Sequence, residues 1–463
     1  GGAPPAPLSD QRVADIRFLA SQIRAVHPAP YSYVDASRWD SQVKRLERQV
    51  GALDNNGFFF RLQEVANLVD DIHTSTFPLA DQGLLLETLP IRLRRFGDAI
   101  CVRATRRELD WLLGARLVEI NGQPIERIME MVLRISPGNQ RLRHSNVPLA
   151  YLLSPATYRY LGLPSDAGKE RITVVTREGE RRTIGLSAEH VSLMDAYDSG
   201  SVMGWNVPPG WTGIGDPNEA STPIFYRRRG QSMVWFESPP GSEALLVQVN
   251  QPKPDPTDSV VVAVASLYVH LSTHRYRRIV IDLRGNEGGW YSLTSALPGI
   301  FASIEAGSNP PAVFVLIGPN TTSAGVALAT QLEQQTQAVF VGEPTGSALN
   351  MFGTYKPAQL PNSGIYYRVS TRRLINSLPD DDRMWMSPDV IVAERVEDIL
   401  RGVDGALERA LSLPVDAATS SPMQWYERWN RPSQGSARQS AQQRHAADAQ
   451  RSGSFKMKSN ARR

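Results

Sequence analysis

The stretch that decides the fold runs from residue 312 to 334 and reads AVFVLIGPNTTSAGVALATQLEQ. An apolar β-like run at 312–317 is followed by Thr-Thr-Ser-Ala-Gly at 321–325 and then by a helical run at 324–334. This order predicts a strand, a tight turn and a helix, with Ser323 at the beginning of the helix. The same order of strand and helix recurs between residues 244 and 341, which predicts a layered α/β core with a mostly parallel sheet.

Ser323 has two interpretations at this turn. Serine is a common N-cap, because its hydroxyl accepts a hydrogen bond from an unpaired N–H of the first helical turn. The alternative is a nucleophile, since the N-terminus of a helix offers free N–H groups and a positive dipole to the oxyanion that forms during attack on a carbonyl. The pentapeptide by itself favours the N-cap.

A second feature is the sequence DLRGNEGG at 282–289, directly after a predicted strand. Its glycines are spaced neither as GxGxxG nor as a Walker loop, so the sequence does not predict a nucleotide site. Two interpretations remain: an ordinary glycine-rich loop, or a backbone oxyanion hole. In the second case Gly288 or Gly289 supplies one N–H, and Ala324, next to Ser323, supplies the other.

A serine nucleophile also needs a base that takes its proton. The chain has seven histidines, and their positions alone do not select one. His73 lies in Asp-Asp-Ile-His-Thr, where a helical run ends and an extended run begins. No HExxH motif and no cluster of Cys and His is present in the sequence, so neither a metal nor another cofactor is expected.

Composition limits the classes of function. The 463 residues are 41% hydrophobic and 21% charged, and the net charge of +3 is too small to predict nucleic acid as the main partner. No apolar stretch reaches the length of about 18 residues that a membrane span needs. Cys101 is the single cysteine, so no intrachain disulfide can form. The start at Gly1, without methionine, suits a cleaved signal peptide or a trimmed chain, and we expect an extracytoplasmic protein, periplasmic or secreted.

Periodicity divides the chain into four predicted parts. Residues 1–88 read as helical, and residues 89–200 read as a β-rich module with hairpins near Asn121-Gly122 and at 178–180. Residues 201–415 form the α/β core, in which the Gly- and Pro-rich stretch at 198–222 reads as a connector or active-site loop. Residues 416–463 carry nine Lys and Arg against three Asp and Glu and read as a basic low-complexity tail.

Seven short strings of this sequence together resemble the C-terminal processing peptidases, also called tail-specific proteases. The branch they are similar to contains the tricorn core protease and the interphotoreceptor retinoid-binding protein. The resemblance spans roughly residues 10–412, and its strings occur in the family's order. They are DDIHT at 70–74, GARLVEING at 114–122, DLRGNEGG at 282–289, TTSAG at 321–325, VGEPTG at 341–346, LPNSGI at 360–365 and SPDV at 387–390.

The resemblance implies a ClpP/crotonase-like layered core, a helical N-terminal region and a divergent PDZ-like module. It also implies that Ser323 is the nucleophile. Relatives with a Ser–Lys dyad carry the lysine about two dozen residues later, where this chain has Ala348, so that dyad is excluded. The tricorn-like branch takes its base from the segment that matches DDIHT, which implies His73 as the base.

The same branch uses a carboxylate shortly before the Pro-Asp of the last core strand. Counting back six residues from Pro388 gives Asp382, and the adjacent Asp381 fits nearly as well. The branch has Glu where this chain has Asp. The resemblance therefore implies a Ser-His-acid arrangement in which the acid at 381 or 382 orients His73, directly or through another side chain.

The sequence thus predicts a serine endopeptidase that cleaves peptides or unfolded protein segments, with no cofactor and an open oligomeric state. The alternative is a non-catalytic ligand- or peptide-binding protein on the same fold, as the retinoid-binding relative illustrates. A third possibility is a hydrolase or acyl-transfer enzyme that acts on a non-peptide substrate.

Overall fold

The N-terminal part of the molecule is helical, as predicted. The structure is a computed structural model that describes residues 8–78, 82–163, 168–198, 207–214, 232–251 and 259–418. Its first elements are α1 (Leu8–Val26), α2 (Ala36–Glu47), α3 (Asn55–Ala66) and the short strand β1 (Ser75–Phe77). Asp35 begins α2 by accepting a hydrogen bond from the Arg38 N–H at 2.8 Å. Asp54 begins α3 in the same way, with the Gly57 N–H at 2.7 Å.

The predicted β-rich module is an antiparallel sheet with strand order β2-β3-β4-β6-β7, to which β5 adds beside β4 and β8 beside β3. Asn121 and Gly122 both have positive φ, 50° and 76°, which suits the tight turn between β4 and β5. The elements are β2 (Ile91–Phe96), β3 (Ala99–Arg106), β4 (Arg116–Ile120), β5 (Gln123–Pro124), α4 (Ile125–Ile135), α5 (Pro155–Tyr160), β6 (Glu170–Val175), β7 (Arg181–Leu186), α6 (Leu193–Asp198) and β8 (Trp211–Gly213).

The remaining elements form the α/β core and its attached hairpins. They are β9 (Val234–Glu237), β10 (Ala244–Val249), α7 (Val260–Thr273), β11 (Arg278–Asp282), α8 (Leu297–Glu305), β12 (Ala312–Ile317), α9 (Ala324–Gln335), β13 (Val339–Gly342), β14 (Met351–Gly353), β15 (Ala358–Gln359), β16 (Tyr366–Arg368), β17 (Arg372–Leu374), β18 (Val390–Ile391), α10 (Val396–Leu400) and α11 (Gly405–Ser412).

The core is a six-stranded sheet of order β18-β13-β12-β11-β10-β9, parallel except for the edge strand β9. Every residue of β10, β12 and β13 is buried, as expected for parallel strands that are covered on both faces. Side chains such as Ile279 and Val313 pack with α7, α8 and α9 on one face. Their neighbours Val280 and Phe314 pack with α11 on the other face. The core is therefore layered, and the predicted α/β class is confirmed.

The N-terminal part is joined to the core by strand pairing. β1 pairs antiparallel with β16, so that Ser75 lies opposite Arg368. The hydrophobic cluster of the N-terminal helices and the β-rich sheet also includes Ile365 and Tyr367 from the core segment. This pairing brings the segment that follows α3 to the edge of the core.

One predicted element begins later than expected. The sequence predicted a helix from Tyr291 to Ile304, but the structure has a single 3₁₀ turn at Tyr291–Leu293, and α8 begins at Leu297 with Pro298 in its first turn. Proline favours the first turn of a helix because its fixed φ and missing N–H cause no loss there. Most of the predicted loop at 198–222 and of the basic tail lies outside the described residues, and the four-part division of the chain stays a prediction.

Candidate active site

Ser323 lies in the turn between β12 and α9, in a conformation that is rare for a residue with a side chain. Its φ is 51° and its ψ is −118°, and such backbone geometry costs on the order of 1–3 kcal/mol. Its side chain makes no capping hydrogen bond to α9, so the N-cap interpretation is wrong. Its own N–H donates to the buried hydroxyl of Ser347 at 3.0 Å. The hydroxyl of Ser323 is thus turned away from the helix.

His73 is the partner of this hydroxyl. Its Nε2 lies 3.3 Å from the Oγ of Ser323, and its Nδ1 lies 2.6 Å from the carbonyl oxygen of Phe352. A carbonyl oxygen can only accept, so the proton of a neutral imidazole resides on Nδ1 and leaves the lone pair of Nε2 for Ser323. The structure therefore brings together the two residues that were 250 positions apart in the sequence, in the arrangement that a general base needs.

The backbone around His73 explains how the ring reaches Ser323. Asp70 has a left-handed φ of 53°, which ends the 3₁₀ turn at Asn67–Val69 and redirects the chain toward β1. Phe352 belongs to β14, whose hairpin with β17 places its carbonyl on the far side of the imidazole. The ring of Tyr355 stacks on that of His73, with centroids 5.9 Å apart. The imidazole is thus fixed on three sides.

Electrostatics keep His73 neutral. Burial lowers the pKa of its imidazole below the usual value of 6.5, the negative charge of Asp71 acts against that shift, and Arg368 adds to it. A histidine with a lowered pKa is unprotonated near neutral pH, so it can accept the proton of a nucleophile.

Asp71 is a carboxylate that the sequence interpretation did not select. Its Oδ1 accepts a hydrogen bond from the N–H of His73 at 3.0 Å, and its side chain is buried. Burial by itself would raise the pKa of this carboxyl, but hydrogen bonding to His27 and the charge of His73 lower it to about 2. The signal in the sequence was the spacing Asp-x-His, because an aspartate readily accepts from the N–H two residues later.

The two predicted acids lie elsewhere. The carboxylate of Asp381 is bound by Arg383, with Nη2 at 2.8 Å, and Arg383 also binds Glu333 at 2.9 Å. The Nδ1 of His73 contacts a backbone carbonyl and not a carboxylate. The prediction that Asp381 orients His73 directly is therefore wrong. Asp382 lies in the wall of a cleft of about 650 Å³ that Asp71 and Phe352 also line.

The wall of that cleft includes neighbours of the Ser323–His73 pair but neither of the two residues. Phe352 and Ala348 are both in its wall. Ala348 follows the serine that holds the N–H of Ser323, and it occupies the position where Ser–Lys relatives would carry the lysine. It is only 3% exposed, so a lysine at this point would have to extend into the cleft.

The predicted oxyanion donors surround Ser323. A methyl group added to Gly288 would come within 2.6 Å of the Cβ of Ser323 and 3.3 Å of the Ala324 nitrogen. This close approach explains why glycine is needed there, where φ is +101°. The N–H of Gly288 donates to the side-chain oxygen of Asn286 at 3.2 Å. Within the described part of the chain, the N–H groups of Gly289 and Ala324 have no acceptor.

The sheet topology explains this convergence. The glycine-rich loop follows β11 and the Ser323 turn follows β12, and these two strands are parallel neighbours. Loops at the carboxyl ends of adjacent parallel strands meet at one edge, which is where α/β sheets place their sites. The backbone oxygen of Asn286 accepts from the N–H of Thr322 at 3.1 Å, which joins the two loops.

Two features are absent from the described residues. No group of three or more His, Cys, Asp or Glu side chains there could hold a metal ion. No helix in the described ranges combines the length and the apolar character that a membrane crossing requires.

Comparison with known proteins identifies the fold. No family model and no curated protein matches the sequence. A serine-to-alanine mutant of CPAF matches with a TM-score of 0.62 and 13% identity over 89% of this chain and 98% of that chain. Mature CPAF complexed with lactacystin matches with a TM-score of 0.56 and 13% identity over 89% and 99%. A photosystem II D1 C-terminal processing protease gives a TM-score of 0.40 and 14% identity over 85% and 98%. The chain has the fold of the CPAF structures, and the fold class expected from its sequence is confirmed.

Proposed function

We propose that this protein is a serine peptidase that cleaves peptides or unfolded protein segments, with Ser323 as nucleophile and His73 as general base. The single observation that carries the proposal is the strained Ser323, whose hydroxyl leaves the helix uncapped and lies 3.3 Å from the Nε2 of His73. A structural N-cap would need neither the strain nor the histidine.

The mechanism follows from the geometry. The Oγ of Ser323 attacks the substrate carbonyl while its proton passes to the Nε2 of His73. The resulting oxyanion is held by the free N–H of Ala324, at the N-terminus of α9, and by the N–H of Gly289 in the neighbouring loop. His73 then gives its proton to the leaving amine, and a water molecule activated by the same imidazole hydrolyses the acyl-enzyme. Gly288, which the sequence also proposed as a donor, has its N–H on Asn286 and instead shapes the loop around Ser323.

The substrate class follows from the surroundings of the pair. The nearby cleft of about 650 Å³ is large enough for several side chains of an extended segment. Asp382, in the wall of this cleft, is the second acid that the sequence proposed for orienting His73, directly or through another side chain. An extracytoplasmic location is part of this proposal and can be read out by cell fractionation with an antibody.

The test compares the wild type with Ser323→Ala and with Ser41→Ala, a matched control whose exposed hydroxyl bonds only within α2. We expect the wild type and Ser41→Ala to release fluorophore from labelled casein and to react with a fluorophosphonate. Ser323→Ala should lose about 10⁴-fold or more in hydrolysis and should not be labelled. Lactacystin, which is bound in one of the similar structures, is a second compound to test against Ser323.

Three outcomes point elsewhere. Equal labelling of the wild type and Ser323→Ala would refute the nucleophile. Labelling of Ser323 without cleavage of casein or of a peptide library would indicate a hydrolase with a non-peptide substrate. Absence of both would favour the binding-protein alternative.

A further inference from the structure

Asp71 is a buried carboxylate whose two oxygens are fully engaged beside His73. Only 2% of the residue is exposed. Its Oδ1 accepts from the N–H of His73 at 3.0 Å. Its Oδ2 accepts from the hydroxyls of Thr74 and Ser370, each at 2.6 Å. The donors are thus neutral N–H and O–H groups, which stabilise the negative charge without cancelling it.

A second histidine completes the surroundings of Asp71. The Nδ1 of His27 accepts from the Ala29 N–H at 3.2 Å, so the neutral ring carries its proton on Nε2, which lies 3.5 Å from the Oδ2 of Asp71. The same ring packs against Phe352, with centroids 4.4 Å apart. His27 therefore contacts both Asp71 and the residue whose carbonyl holds the Nδ1 of His73.

No cation binds Asp71 directly, although the buried Arg141 interacts with its charge at longer range. Across the described ranges, no Lys or Arg side chain comes within ion-pair distance of Asp71. The nearby Arg141 pairs with Asp70, at 3.5 Å. Arg368 faces His73 and hydrogen-bonds to Ser75 at 2.9 Å. The carboxylate nearest to His73 in the chain thus has no cation bound to it.

We propose that Asp71 is the positioning carboxylate of this site, which fixes the segment that carries His73 and stabilises the imidazolium formed during catalysis. The inference rests on the proposed function and deepens it, since the sequence assigned this role to Asp381 or Asp382. Asp71 acts through the backbone N–H of His73 and through space, while the carbonyl of Phe352 fixes the ring.

The transfer of the Ser323 proton to His73 does not require Asp71 to accept a proton. As the bond from Oγ to the substrate carbon forms, the Oγ–H bond of Ser323 breaks and its proton goes to the Nε2 of His73. The Nδ1–H remains on the carbonyl of Phe352, so the ring becomes a cation. A fixed negative charge beside a largely buried ring favours that cation more than it would in bulk solvent.

This role of Asp71 predicts the direction in which the pH dependence of kcat/KM changes when its charge is removed. The charge of Asp71 raises the pKa of His73 against the effect of burial. Removing that charge lowers the pKa of His73 further, so the rise of kcat/KM with pH moves to lower pH. The maximal rate falls at the same time, because the imidazolium in the transition state loses its stabilising charge.

The experiment uses Asp71→Asn, with Asp15→Asn as the matched control. Asp15 is likewise a buried carboxylate with neutral donors, since it accepts from the N–H groups of Asn362 at 3.0 Å and of Ser363 at 2.8 Å. We expect Asp71→Asn to lower kcat/KM by about 10- to 100-fold and to shift its acid limb down by about half to one pH unit. Asp15→Asn should leave the acid limb unchanged, whatever it does to stability.

NMR titration of the His73 imidazole separates this inference from the proposed function, because it needs no turnover. A lower midpoint in Asp71→Asn supports the coupling even if Ser323→Ala shows that the protein is no peptidase. An unchanged midpoint overturns the inference. So does a shift in Asp382→Asn that Asp71→Asn does not show.

A second variant applies if Asp71→Asn fails to fold. Ser370→Ala keeps the charge of Asp71 but removes one hydroxyl dipole from it. The field at His73 then grows, and the midpoint of His73 should rise by a few tenths of a pH unit. No rise in a folded Ser370→Ala would count against Asp71.

Discussion

Three segments of this molecule share one local geometry and use it differently. In Asp282-Leu-Arg284, Asp381-Asp-Arg383 and Asp71-Ile-His73, the aspartate accepts from the N–H two residues later, at 2.9, 3.1 and 3.0 Å. In the first two segments, the third residue is an arginine that folds back onto the carboxylate. In the last it is a histidine that points away, to Ser323 and Phe352.

The difference teaches what decides whether a buried carboxylate is structural. Arg284 binds Asp282 and Asp404 together, and Arg383 binds Asp381 and Glu333, so each of these buried carboxylates is in direct contact with a cation. Asp71 has only neutral donors and two histidines around it, so its charge remains to act on the neighbouring ring. The same Asp-x-x turn therefore forms a structural clamp when its third residue is arginine, and part of the candidate site when its third residue is histidine.

The largest expected effect comes from breaking one of the clamps. Arg284→Met leaves Asp282 and Asp404 buried without their cation, and we expect a loss of about 3–5 kcal/mol in the free energy of unfolding. Urea denaturation measures it, with Arg17→Met as the control. Arg17 is 67% exposed in its pair with Glu47, so its removal should leave the free energy of unfolding nearly unchanged. Equal losses in both variants would contradict the distinction between clamp and surface pair.

The next largest effect is expected on kcat, from a substitution in the glycine-rich loop at 282–289. Gly288→Ala places a methyl group 2.6 Å from the Cβ of Ser323 at a φ that disfavours any side chain, so the nucleophile or the loop must shift. We expect kcat to fall by about 100-fold or more while the fold persists, as measured by casein hydrolysis beside a melting curve. Gly299→Ala in α8, where a methyl group meets nothing within 4 Å, should leave kcat unchanged. Full activity of Gly288→Ala would remove this loop from the site.

The smallest effect tests Glu343, a half-buried carboxyl that accepts from the Glu394 N–H at 3.1 Å and that no arginine clamps within the described residues. Burial, followed by the charge of Glu394, raises the pKa of Glu343 from 4.5 to about 7. Because the folded state holds the proton more tightly, the stabilising contribution is complete below pH 4.5 and is lost as pH rises through 7. Glu343→Gln should therefore be more stable than the wild type by about 1–2 kcal/mol at pH 8 and equal to it at pH 4.5.

The measurement for Glu343→Gln is thermal unfolding at the two pH values. Glu87→Gln, at an exposed position, is the control and should follow the wild type at both. A difference that is larger at low pH would reverse the sign and show that Glu343 is ionised in the folded protein.

Much of the site could be predicted because it depends on regular structure. The alternation of strands and helices put Ser323 and the loop at 282–289 each after a strand, and the structure brings both to one edge of the sheet. His73 came only from the resemblance, since its contact with Ser323 requires the pairing of β1 with β16 across the chain. No local pattern encodes such a pairing.

The acid could not be predicted for a different reason. Counting residues from Pro388 finds an aspartate but not its partner, and Arg383 takes the carboxylate of Asp381. The carbonyl of Phe352 left no signal, because every residue has one. No sequence pattern identifies Ser347 as the acceptor of the Ser323 N–H. Thr74, by contrast, lies three residues after Asp71, so its hydroxyl could have been predicted to donate to that carboxylate.

The pairing of β1 with β16 has a consequence for how the protein is made. A ribosome that has released the chain as far as residue 349 has already delivered Ser323 and His73, yet Phe352, β16 and Ser370 are still in the tunnel or unmade. The imidazole then lacks its carbonyl, and Asp71 lacks one of its hydroxyls. Synthesis itself therefore delays the assembly of the site until nearly the whole core has emerged.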